Sequence, residues 1–152
     1  MPNVYSRIYL QLVFAVKNRQ ALIESVWKDE LCRYAASIIQ SKGHKSIITN
    51  AVKDHIHLLL GYNPSNPIPD LVREIKCYSS KFINDRHLSR FKFEWQTGYG
   101  AFSYSRSDID RVYQYIQNQE QHHKIKTFKA EYLELLEEHE IAYDEKYLFD
   151  WI

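Results

Sequence analysis

Cysteine is nearly absent from this chain: Cys32 and Cys77 are the two it has, far apart and without CxxC spacing. That count suggests neither a disulfide framework nor a zinc ribbon, and it fits a reducing cytosol. Glycine and proline are also scarce, at four each, whereas tyrosine reaches twelve. Such a balance argues against low-complexity or disordered character. Long apolar runs are missing too. The stretch "IYLQLVFAV" near the N-terminus holds Gln11, runs into the basic "KNR" and lacks a small-residue cleavage pattern, so it reads as a strand and not as a signal peptide. Nothing approaches transmembrane length. A cytoplasmic protein without membrane contact is expected, acting at the nucleoid if DNA is its partner.

What the chain does have is charge, unevenly spread. The net value of +1 conceals an acidic tail: residues 131–152 carry eight acids against Lys146, and the other 130 residues carry a surplus of eight basic side chains. A basic body with an acidic tail suits a partner that bears phosphates. At 152 residues a single domain with a real core is expected, and neither an internal repeat nor a domain boundary is visible.

The element order follows from periodicity. "VYSRIYLQLVFAV" alternates and is rich in β-branched and aromatic residues, as a first strand should be. From Ser25, a candidate N-cap, Trp27, Leu31, Ala35 and Ile38 recur at helical spacing until Gly43 closes the helix. "HKSIITNAV" and "HIHLLLGY" read as a hairpin joined at Lys53-Asp54. A proline-rich loop precedes a second helix with Leu71, Ile75, Tyr78 and Phe82 on its apolar stripe. A strand is expected near Tyr99–Tyr104, then a third helix capped by Ser107 or Asp108 and running to about Thr127. A fourth, acidic helix spans roughly Phe128 to His139. The order β-α-β-β-α-β followed by helices is that of an α+β, ferredoxin-like split βαβ fold, with helices on one face of an antiparallel sheet. The other face then needs a cover, a partner or a ligand.

Two histidines stand one residue apart in "KDHIHLLLGY". Alternate side chains of a strand share a face, so His55, His57 and Leu59 point one way while Ile56, Leu58 and Leu60 point to the core. An i, i+2 histidine pair is either packed and hydrogen-bonded or half of a metal site. A metal needs further ligands, and "IDRVYQYIQNQEQHH" is where they would come from. Advancing about 100° per residue puts Ile109, Val112, Tyr113 and Ile116 on the core stripe. Tyr115 lies on a flank with Gln119 and His122. Tyr113–Gln117 and Tyr115–Gln119 share i, i+4 spacing, so spacing alone does not choose between them; the phase favours Tyr115 for chemistry.

"HIH" on a strand, then "WQTGYGAFSYS", then "YIQNQ" on a helix resembles the one-tyrosine HUH transposases of the insertion sequence 200/605 family, and the likeness covers nearly the whole chain. "NQEQHHKIKTFKAEYLELLEEHEIAYDEKYLFDW" resembles the C-terminal region of its small host-encoded relatives, the repeat-associated tyrosine transposases. The resemblance implies that Tyr115 attacks a backbone phosphate of single-stranded DNA, leaving a 5′-phosphotyrosine and a free 3′-OH, and that strands are rejoined by the reverse reaction. It implies a divalent ion, Mg²⁺ or Mn²⁺, held by His55, His57 and Gln119, and no nucleotide cofactor. Magnesium prefers oxygen ligands, whereas manganese accepts imidazole more readily. It implies hairpin-bearing DNA and a homodimer.

Lys17, Arg19, Arg73, Lys76 and Lys81 are candidate phosphate contacts, and the tyrosines offer stacking platforms for unpaired bases. His122 and His123 suit a structural or DNA-contact role. Other readings are a host-domesticated processor of repetitive palindromes, a replication or conjugation nickase, a metal sensor, and a non-catalytic ferredoxin-like nucleic-acid binder. The tail could shield the basic groove or simply pack.

Overall fold

The first strand, β1, runs over Ile8–Ala15, four residues shorter at its start than the alternating pattern predicts. In the computed structural model, which describes residues 3–152, it is a central strand of a four-stranded sheet of order β2-β3-β1-β4. Strands β2 (Lys45–Val52), β3 (His55–Tyr62) and β4 (Gly100–Tyr104) complete it. All three pairings are antiparallel. The fold is α+β with the split βαβ arrangement.

Helix α1 (Ser25–Ser41) begins one residue after the N-cap position, which Glu24 occupies in place of the expected Ser25. Its other end is fixed by Gly43, whose φ of 87° is the left-handed conformation that glycine adopts at little cost. There Gly43 N–H donates to Gln40 O at 3.0 Å and His44 N–H to Ile39 O at 3.2 Å, the paired bonds of a Schellman cap. Trp27, Leu31, Ala35 and Ile38 are buried, as their spacing requires.

Helix α2 (Ile68–Asp85) buries Leu71, Val72, Ile75, Ser79 and Ile83. Tyr78, placed on the apolar stripe by spacing, is instead 45% exposed. The core stripe is turned by one residue because Ser79 can be buried: its hydroxyl donates to Ile75 O and accepts from Trp95 Nε1–H at 2.9 Å.

Both faces of the sheet are covered. Leu10, Leu12, Phe14, Ile56, Leu58 and Leu60 belong to the main core together with residues of α1 and α2. On the opposite face Leu59 packs with Ile109, Val112 and Ile116 of α3 (Ile109–Gln117). Phe128, at the start of α5 (Phe128–Glu138), stacks on His55 with ring centroids 3.8 Å apart. The predicted helix from 109 to 127 is broken. Asn118 ends α3, and a single turn, α4 (Gln119–His122), follows. The tail does pack: Tyr132, Leu135, Leu136 and Phe149 are buried and Trp151 lies against them.

One glycine locks this cover down. A Cβ on Gly100 would sit 2.7 Å from Tyr132 Oη and 2.9 Å from two ring carbons of Phe102. Overpacking of that kind costs about 1–3 kcal/mol. Gly100→Ala is therefore expected to lower the urea midpoint without changing the m-value. An unchanged midpoint would mean that Tyr132 yields freely.

Candidate active site

Strand β3 is hydrogen-bonded on both sides, so its residues on the second face are held in place by the ladder. His55 and His57 are 0% exposed, with ring centroids 5.0 Å apart. Each far nitrogen is engaged. Asp54, in the β2–β3 turn, accepts from His55 Nδ1–H at 2.7 Å. Gln11 of β1 places its side-chain amide 2.8 Å from His57 Nδ1, and Tyr104 Oη–H donates to Gln11 Oε1 at 2.7 Å. These bonds leave both Nε2 atoms pointing at the same place.

That place holds Glu131 of α5. Its Oε1 lies 3.0 Å from His57 Nε2 and 3.1 Å from both His55 Nε2 and His123 Nε2. Its Oε2 accepts from Gln119 Nε2–H at 3.0 Å and from the Tyr115 hydroxyl. Gln119 Oε1 is in turn 3.3 Å from His55 Nε2 and 3.1 Å from His123 Nε2. Five side chains from three parts of the chain thus converge on one carboxylate.

The electrostatics follow from burial and this pairing. Burial would raise the Glu131 carboxyl, but the three imidazoles hold it far below the usual range. For Tyr115 burial and the charge of Glu131 act together, and the phenol is pushed well above its ordinary value. Burial disfavours a charged His55, yet its bonds to Asp54 and Glu131 prevail and raise it. His57 has only the one carboxylate, and burial lowers it.

The structure therefore brings His55, His57, Tyr115 and Gln119 together. Tyr113 is half-buried, and the hydroxyl bonded to Glu131 is that of Tyr115. Glu131 and His123 complete the group; Glu131 was not expected from the sequence as a site residue, and His123, read as a structural or DNA-contact residue, lies 3.1 Å from both Glu131 Oε1 and Gln119 Oε1. A signal for Glu131 existed: it lies three residues after Phe128 and four before Leu135, on the apolar stripe of an otherwise amphipathic helix.

The donors fit a divalent ion. His55, His57 and Glu131 each offer a ligand atom, all within 4.8 Å of one another, and Asp54 behind His55 forms the carboxylate–histidine relay common behind metal ligands.

The five candidate phosphate contacts are not among the side chains bonded to Glu131. Lys17 pairs with Glu94 at 3.2 Å, Arg73 with Asp70 at 3.1 Å and Lys81 with Asp85 at 2.7 Å. Arg19 opens a short 3₁₀ turn. Lys76 is half-buried, which lowers it to about 8, and donates to Gln96 O at 2.7 Å and Gly98 O at 2.6 Å.

Fold and site together define the class: transposases built on an antiparallel split βαβ sheet. The family described as Transposase IS200 like matches residues 4–119, and the chain belongs to it. The ISDra2 transposase TnpA of Deinococcus radiodurans is 27% identical over 121 residues, covering 76% of this chain and 86% of that protein. A crystal structure of a Deinococcus radiodurans R1 protein described as a transposase superposes with a TM-score of 0.61 at 26% identity, over 78% of this chain and 95% of the other. A REP-associated tyrosine transposase bound to a REP hairpin shares the fold, with a TM-score of 0.56 at 15% identity, over 81% of this chain and 73% of that one. No helix among the described residues is long and apolar enough to cross a membrane.

Loss of such a relay typically costs about 10- to 100-fold in metal affinity. Asp54→Asn should therefore weaken Mn²⁺ binding by that factor in calorimetry while the melting temperature changes little. Unchanged Mn²⁺ affinity would show that His55 is not a ligand.

Proposed function

We propose that this transposase cleaves and rejoins single-stranded DNA at hairpin-marked sites through a covalent bond to Tyr115. One observation carries the reading: the Tyr115 hydroxyl and the Nε2 atoms of His55 and His57 meet at the two oxygens of a single buried carboxylate. Attack by Tyr115 Oη on a backbone phosphorus forms the Oη–P bond and breaks P–O3′. The products are a 5′-phosphotyrosine and a 3′-OH that takes up a proton. Because the phosphodiester energy is kept in the covalent link, the reverse reaction can join a new 3′-OH without ATP.

His55, His57 and Glu131 would hold the divalent ion, Mg²⁺ or Mn²⁺, with Gln119 Oε1 as a further oxygen donor. Bound there, such an ion supplies Lewis-acid polarisation of the phosphate and offsets the negative field that now keeps Tyr115 protonated. The protein's own groups do the rest. Asp54 and Gln11 orient the two imidazoles, and the burial of the site excludes water, which favours strand transfer over hydrolysis. Tyr115 reaches Glu131 of its own chain, which supports a reading in which the tyrosine serves the histidine pair of its own protomer. Hairpin recognition is supported by the REP hairpin bound to the structural neighbour.

The test is a covalent-adduct gel with labelled single-stranded hairpins from the chain's own genomic flanks, with Mn²⁺ or Mg²⁺. Wild type and Tyr113→Phe should give a metal-dependent protein–DNA band, and Tyr115→Phe should give none. A band lost only in Tyr113→Phe would assign the nucleophile to the other tyrosine. Tight binding with no band under either metal would leave a non-catalytic DNA binder.

A further inference from the structure

A cleft of about 740 Å³ opens beside the site, and residues after the family match build most of its rim. Its size lies within the roughly 300–1,000 Å³ of ordinary ligand pockets. Asp54 and His123 line it. These are the residues that hydrogen-bond His55 Nδ1 at 2.7 Å and Glu131 Oε1 at 3.1 Å on their other sides. One layer of side chains therefore separates the cleft from the proposed reaction centre.

We infer that this cleft seats the unpaired DNA strand next to the scissile phosphate, with lysines on its phosphates and Trp151 under a base. The inference rests on the proposed DNA-cleaving function. Five lysines line the cleft, Lys28, Lys53, Lys124, Lys126 and Lys129, against the acids Asp54 and Glu120. Lys28 is paired with Glu120 at 2.8 Å and Lys126 with Glu134 at 2.6 Å. Lys53, Lys124 and Lys129 are exposed and, among the described residues, have no carboxylate within 4.0 Å. Three ammonium groups lining the cleft without a carboxylate partner suit a polyanion.

A smaller opening around Tyr115 is lined by Glu131, Glu134, Glu138 and Arg111, and its carboxylates are engaged: Glu131 by the imidazoles, Glu134 by Lys126 at 2.6 Å and Glu138 by Arg111 at 3.8 Å. Trp151 supplies the second element of single-strand recognition, a partly buried indole that packs against Phe128 and Phe149 and lines the cleft with the lysines. Stacking on such a plane tolerates any base.

The sequence provides a direct readout. Of the three tryptophans, Trp27 and Trp95 are 3% and 8% exposed, so a nucleic acid binding in the cleft should quench chiefly Trp151. The full chain, without metal, is titrated with an unstructured oligothymidylate across a salt series. Tryptophan fluorescence and the anisotropy of a labelled oligonucleotide are followed together.

Wild type should bind with quenching, and Trp151→Phe should bind without it. The triple variant Lys53→Ala, Lys124→Ala, Lys129→Ala should bind at least tenfold more weakly. Its log–log salt slope should shrink by about 2, the value for three lost contacts to a single strand. Lys42→Ala with Lys92→Ala, which are paired with Glu74 and Glu94 and do not line the cleft, serves as the control and should stay near wild type.

Binding without quenching, or a triple variant with wild-type affinity and slope, would overturn the cleft assignment. If wild type still forms the Tyr115 adduct in that case, the enzymatic reading stands. If instead no adduct ever forms but the triple variant loses binding, the cleft stands as a strand-binding site and the enzymatic reading falls.

Discussion

A carboxylate removed from water costs several kcal/mol unless its lone pairs are filled, and Glu131 is 1% exposed. Much of the second sheet face is arranged to meet that cost. Three imidazole nitrogens supply one oxygen, and an amide and a phenol supply the other. Satisfying this group requires β3, α3, α4 and α5 to arrive at one point. The break at Asn118 makes sense in the same terms. It starts a new turn at Gln119, whose amide is fully buried and bonded to Glu131 on one side and to His55 and His123 on the other.

The sheet sets where that point lies. A strand's period of two places His55 and His57 on one face with Leu59 between them and the α3 contact, and pairing on both edges of β3 leaves the backbone no freedom to turn them. Register then recruits β1: Gln11 stands opposite Leu59, two pairs along from His57 and so on the same face, and opposite Phe102 on β4. From there its amide reaches His57 while its oxygen takes the Tyr104 hydroxyl. Amide orientation is fixed only by its partners. If the Gln11 amide is reversed, its oxygen accepts from His57 Nδ1–H and its nitrogen donates to Tyr104 Oη. His57 Nε2 then carries a free lone pair, as a metal ligand must. The same three residues serve either tautomer without moving a backbone atom.

Much of this was legible in the sequence because period and order are local properties. The four strands, α1, α2, α5 and the histidine pair all follow from alternation and helical spacing, and Tyr115 was separated from Tyr113 by phase. What failed were judgements that depend on a partner distant in sequence. Tyr78 was assigned to the core and Ser79 was not, because spacing cannot reveal that Trp95 would supply Ser79 with a hydrogen bond. One helix was expected from 109 to 127, because nothing local shows that Gln119 must face inward. Glu131 was counted as one more acid of the tail. Its place between Phe128 and Leu135 on an apolar stripe was the available sign, but its partners, His55 and His57, lie more than seventy residues away.

The charge split between body and tail takes on a different meaning once the chain is folded. Glu131, Glu134 and Glu138 recur at helical spacing along α5 and line the opening beside Tyr115. Lys124, Lys126 and Lys129, immediately before them in sequence, line the larger cleft, and Lys126 joins the two openings through its 2.6 Å pair with Glu134. Lys124, Lys129, Glu134 and Glu138 are exposed, so beyond such direct pairs their fields are screened within about 8 Å at physiological salt. The family match ends at residue 119, before all of them. The part of the chain that identifies the family carries the two histidines, the tyrosine and Gln119, while the segment after it contributes the carboxylate at the centre and most of the lysines of the cleft. Changes in that segment can thus alter how the site meets a strand while leaving the sheet that positions the histidines intact.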